Sequence, residues 1–86
     1  MYAIQNNVIW DIQDDAVYII CEECIEPLII TGIGVYIWIK LSEGQQELDT
    51  ILGCINDIYG NLSNDQVEEI KKFLNDLRTL SIISII

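Results

Sequence analysis

The sequence predicts one α+β domain over residues 1–86, in which a three-stranded antiparallel sheet is followed by three helices. Three observations carry that expectation. The first third alternates apolar and polar residues, or runs in β-branched and aromatic ones, with turn residues between. The remainder repeats apolar residues at helical spacing, punctuated by glycines and one strong helix start. Hydrophobic residues make up 51% of the 86, well above what a disordered acidic chain carries, so a small packed core is expected.

The first strand is read in "VIWDI", where Val8, Trp10 and Ile12 share one face and Ile9 and Asp11 the other. "QDD" is a turn. "AVYIIC" is apolar on both faces, as a central strand is. "EECIE" is the next turn region, and "PLII" the third strand, with Pro27 at its permitted start. A first helix follows Thr31-Gly32-Ile33-Gly34, with Val35, Trp38 and Leu41 at helical spacing and Gly44 closing it. The second carries Leu48, Ile51, Leu52, Ile55 and Ile58-Tyr59, with Gly60 where a glycine cap belongs. The third opens on Ser63-Asn64-Asp65-Gln66, a capping box, with Leu62 and Val67 placed as a hydrophobic staple. Val67, Ile70, Phe73, Leu74 and Leu77 form its apolar side. Asp65, Glu68 and Glu69 lie near its positive end; Lys71, Lys72 and Arg78 follow toward the negative end. The tail "LSIISII" reads as a short extra strand or a packed extension. The order β-β-β-α-α-α is a winged-helix-like α+β arrangement.

Charge narrows the partners. Fourteen acidic and four basic residues give a net charge of −10. Lys40, Lys71, Lys72 and Arg78 cannot make a basic patch against that background, so neither a nucleic acid nor an anionic membrane is expected as partner. A basic partner would be steered in. The longest apolar-looking run, Leu28 to Leu41, has 14 residues with two glycines and a lysine, too short to span a bilayer. "MYAIQNNVIWD" has no basic n-region and no long apolar core, so no signal peptide is expected. With three cysteines and no export signal, the expectation is reduced thiols in the cytoplasm.

No constellation for chemistry is complete. Cys21-Glu22-Glu23-Cys24 can be a redox pair, half a zinc site, or a strand end and turn. A structural zinc site needs four ligands, and the chain offers Cys21, Cys24, Cys54 and no histidine. A redox pair of this spacing usually sits at a helix N-terminus, not between strands beside two carboxylates that raise the thiol pKa. The strand-end reading is preferred. The carboxylate pairs Asp14-Asp15, Glu22-Glu23 and Glu68-Glu69 are sequence neighbours that do not face each other, and read as solvated surface. Nucleophilic catalysis lacks a histidine base. Gly32-Ile33-Gly34 would need its third phosphate-loop glycine at Ile37, so that reading fails. Trp38 reads as core. No enzyme, metal or cofactor is expected.

What remains is a binding surface. An outer strand of a three-stranded meander has a free edge. If "PLII" lies beside the third helix, the two form a groove in which an extended peptide could add as a fourth strand.

The stretch "PLIITGIGVYIWIKLSEGQQELDTILGCINDIYG" resembles the PqqD family, peptide-recognition domains of ribosomal peptide modification. That family carries a pattern close to L-[DN]-x-x-G-x-x-I-W-x-x-L-x-x-G. Leu28, Gly34, Ile37, Trp38, Leu41 and Gly44 follow it in order and near its spacing. Val67, Ile70, Phe73, Leu74 and Leu77 with Ile82-Ile83 are similar to its last helix. The resemblance runs from about Val8 to Ile83. The sequence departs where the family has Asp or Asn after the strand leucine (Ile29 or Ile30), where it has a late glycine (Ser81), and where it has Asp in the last helix (Glu69).

The resemblance implies a recognition element for the leader segment of a ribosomally made precursor peptide. The leader would add to the third strand, against the third helix, and be delivered to a maturation enzyme. As a free-standing chain it is most similar to the leader-binding proteins of lasso peptide clusters, whose partner is a leader peptidase; sister members serve radical-SAM enzymes. Carried over, the strand wall is Leu28, Ile29 and Ile30, and the helix wall is expected to include Lys71, Leu74, Asn75 and Arg78. The competing expectations are a winged-helix nucleic-acid-binding or regulatory protein, a small enzyme or redox protein using Cys21 and Cys24, and a structural dimer built through the apolar tail.

Overall fold

The computed structural model describes residues 1–21 and 25–86. The elements run β1 (Tyr2–Ile4), β2 (Ile9–Gln13), β3 (Ala16–Ile20), β4 (Leu28–Ile30), α1 (Ile33–Ser42), α2 (Leu48–Tyr59), α3 (Asn64–Thr79) and β5 (Ile83–Ile85). β2, β3 and β4 form an antiparallel three-stranded sheet in that order, and three helices follow it. This is the α+β arrangement that the sequence predicts.

β3 is the central strand, and its sequence shows why. Val17 and Ile19 are buried completely against the helices, while Ile20 on the other face is 57% exposed. Cross-strand partners share a face, so Trp10, Ile12, Leu28 and Ile30 join Val17 and Ile19 on the helix side. β2 departs from its expected half-buried alternation: it is exposed along its whole length. Trp10 and Ile12, on the helix side, are less exposed than Ile9, at 37% and 41%, and the Trp10 ring lies edge-on to Trp38 at 5.7 Å. Trp38 is fully buried, as expected.

The helices end where the sequence says. Gly60 caps α2 at φ 84°, its N–H donating to the Asn56 carbonyl. Ser63 caps α3 by accepting from the Gln66 N–H, and the Gln66 side chain accepts from the Ser63 N–H at 2.9 Å. Leu62 and Val67 are both half-buried and line one shallow hollow. Ile51 and Ile55 of α2 and Ile70, Leu74 and Leu77 of α3 fill the core; Ile58 and Tyr59, at the end of the α2 stripe, stay about half exposed.

A second sheet was not legible in full. β1 pairs antiparallel with β5, Tyr2 opposite Ile85 and Ile4 opposite Ile83. The tail is thus a strand, as one of the two expectations had it, and β1 is an addition. Tyr2 also exchanges backbone hydrogen bonds with Gln46, tying the α1–α2 connection to this ribbon.

Cys21 is disulfide-bonded, which corrects the expectation of reduced thiols at this position. It directly follows β3. Cys54 is free and half-buried on α2. The proposed turn role of Cys24 and the Glu22-Glu23 pair lie outside the described residues.

Candidate functional site

The β2–β3 turn determines which backbone groups of the sheet remain open. Asp14 and Asp15 both have positive φ, 52° and 63°, the mark of a two-residue type I′ turn. Such a turn closes on a pair, here Gln13 and Ala16, that exchanges both backbone hydrogen bonds. Alternation then sends the backbone groups of Ala16, Tyr18 and Ile20 toward β2 and those of Val17 and Ile19 toward β4. Val17 opposes Ile30 and Ile19 opposes Leu28. Ile29 therefore turns its N–H and C=O to the open side of β4.

The two edges of the sheet differ. On β2 the same alternation points the Ile12 N–H outward, and there it donates to Asp11 Oδ1 at 2.9 Å. A carboxylate thus covers the β2 edge, a common way of blocking strand addition. Among the described residues no strand pairs with the outer side of β4.

Between β4 and α3 lies a groove of about 470 Å3. Leu28, Ile29, Ile30 and Thr31 form one wall. Ile33, Gly34 and Ile37 of α1 form the floor. The α3 wall is Ile70, Phe73 and Leu77, with Gln66, Glu69 and Asp76 along its rim, and Leu80 closes one end. Gly34 makes the close packing possible: a Cβ there would stand 2.6 Å from Ile30 Cγ2 and 3.1 Å from Phe73 Cζ. Glu69 and Asp76 are exposed, and among the described residues neither carboxylate has an ion-pair partner.

The expected strand wall, Leu28, Ile29 and Ile30, lies in this groove. The expected helix wall does not. Leu74 is fully buried in the core, and Lys71, Asn75 and Arg78 are exposed away from the groove. The reason is helical geometry. At 100° per residue, Lys71, Asn75 and Arg78 lie roughly 140–200° round the axis from Phe73, and Leu74 about 100°. Gln66, Glu69, Ile70, Asp76, Leu77 and Leu80 all fall within about 60° of Phe73. Phe73 was the available signal: a large apolar residue on the stripe's edge, only half-buried in the fold.

Other chemistry is thin. Among the described residues no group of three or more His, Cys, Asp or Glu side chains could hold a metal ion. Among the described residues no helix is long and apolar enough to cross a membrane. The ion pairs Lys40–Glu43 and Lys71–Glu68 are both 3.5 Å contacts between neighbouring turns at the surface, and such pairs contribute little. No protein-family model matches the chain, and neither a curated protein nor a solved structure matches it.

Proposed function

We propose that this protein binds an extended peptide by strand addition to β4, in the groove against α3, and acts as a recognition element rather than an enzyme. The observation that carries the reading is the contrast of the two sheet edges. One is covered by Asp11, while Ile29 presents an open backbone donor and acceptor beside an apolar groove. Backbone pairing supplies affinity in this mode, and alternate side chains entering a pocket supply selectivity. A peptide residue opposite Ile29 would point to the outer face of the sheet. Its two neighbours would point into the groove, onto Phe73, Ile37 and Leu77.

The sequence resemblance to the PqqD family supplies the peptide's identity within this proposal: the leader of a ribosomally made precursor, delivered in the cytoplasm to a leader peptidase or a radical-SAM enzyme, with the lasso peptide type favoured. The test is titration of the purified protein with a labelled synthetic leader encoded beside its gene, with amide shifts followed on isotope-labelled protein. Saturable binding that moves Ile29, Thr31 and Phe73, and is lost when the leader's apolar anchors become alanine, supports the reading. No binding at high micromolar protein, with the domain shown folded, sinks it.

The alternative, a winged-helix nucleic-acid-binding or regulatory protein, meets an electrostatic objection on α3 itself. Lys71, Lys72 and Arg78 share that helix with Asp65, Glu68, Glu69 and Asp76. No basic stripe for phosphates results.

A further inference from the structure

Resting on the peptide-binding reading, we infer that the groove selects a cationic amphipathic segment: apolar residues two apart that enter the groove, bordered by lysine or arginine that meets Glu69 and Asp76. The groove's interior is apolar on all three sides, from Ile30, Ile37 and Phe73. Its rim is acidic on the helix side. Glu69 and Asp76 are seven residues apart on α3, roughly 10 Å along the axis. About three residues of an extended chain span that distance. Both carboxylates are exposed, and among the described residues neither is neutralised by a cation of the protein. Lys72 stands one turn from each of them and, among the described residues, forms an ion pair with neither; Lys71 and Arg78 lie on the helix's other side. Lys71 is engaged there with Glu68 at 3.5 Å. A peptide with acidic borders would meet two carboxylates at the rim against the single cation of Lys72, added to the −10 of the whole chain. One with basic borders gains two exposed ion pairs and faster encounter. Pairs of ordinary strength at such sites give together about two- to thirtyfold in affinity at low salt.

The test uses the full chain and an unbiased probe, a displayed library of random twelve-residue peptides selected in parallel on the wild type and on the double variant Glu69→Gln, Asp76→Asn. One enriched peptide is then synthesised, together with its version carrying glutamine for every lysine and arginine, and both are titrated into isotope-labelled protein. The expected result is enrichment of basic residues beside paired apolar anchors on the wild type only. The basic peptide should bind about tenfold more tightly than its glutamine version at low salt, and on the double variant the two peptides should bind within about twofold of each other. Enriched peptides that move the Ile29 amide but carry no excess of basic residues overturn this inference and leave the strand-addition reading standing. Failure of any peptide to enrich, or enrichment without shifts at Ile29 and Phe73, overturns both.

Discussion

Gly34 packs so closely against Ile30 that a methyl group on its Cα would stand 2.6 Å from Ile30 Cγ2. Ile30 is itself buried at the end of β4, and Phe73 closes in from α3 at 3.1 Å from the same point. The groove floor therefore exists because one residue of α1 has no side chain. Gly34→Ala gains about 1 kcal/mol or less of helix propensity but costs about 1–3 kcal/mol in overpacking, so net destabilisation is expected. Gly53, on the exposed side of α2, has nothing within 4 Å of its Cβ position. Gly53→Ala should stabilise by about 0.5–1 kcal/mol. Denaturant unfolding of the two variants checks the pair, and equal effects of one sign would contradict the packing described.

Phe73 and the opposite side of α3 separate the groove from the rest of the helix. Phe73→Ala should weaken peptide binding by about tenfold or more, since it removes the largest apolar contact of the α3 wall. Lys71→Ala, Asn75→Ala and Arg78→Ala should each leave affinity within about twofold. Isothermal titration on the four variants would decide, and a large loss at Arg78 would place the ligand on the other face.

The capping box at the start of α3 holds the helix that forms one wall. Ser63→Ala removes the acceptor for the Gln66 N–H, a 3.2 Å hydrogen bond, and should cost about 1 kcal/mol. Thermal unfolding measures it. Loss of the cap should leave the affinity of the folded protein for peptide unchanged.

Asp14 and Asp15 occupy left-handed backbone that asparagine and glycine adopt more readily. The double substitution Asp14→Asn, Asp15→Gly should stabilise the β2–β3 hairpin by about 0.5–1 kcal/mol. Salt separates strain from charge: a gain that persists at high salt is relief of φ, and one that vanishes there is relief of carboxylate repulsion.

Ser81 ends α3 with φ 61°. Its N–H donates to the Arg78 carbonyl and the Ile82 N–H to the Leu77 carbonyl, the two bonds of a Schellman ending. Glycine is the residue suited to that position. Ser81→Gly is expected to raise stability by about 0.5–1 kcal/mol, read from the shift in denaturation midpoint.

Local chemistry in the sequence was sufficient for most of the fold. Alternation and turn residues located β2, β3 and β4. Glycine at 60 and the Ser63–Gln66 box located the ends of α2 and α3, because caps act within one turn of chain. A groove between the last strand of the meander and the third helix was conditional on the two lying side by side, and the packing supplies that. Three things did not follow. β1 is three residues long and finds its partner at β5 about 80 positions away, so no short-range pattern marks it. The exposure of β2 depends on how far the helices reach across the sheet. The side of α3 that lines the groove depends on the rotation of a helix whose apolar stripe is wide enough to pack in more than one orientation. That rotation is set by Gly34, Ile30 and Phe73 meeting from three elements, a contact that no single stretch of sequence contains.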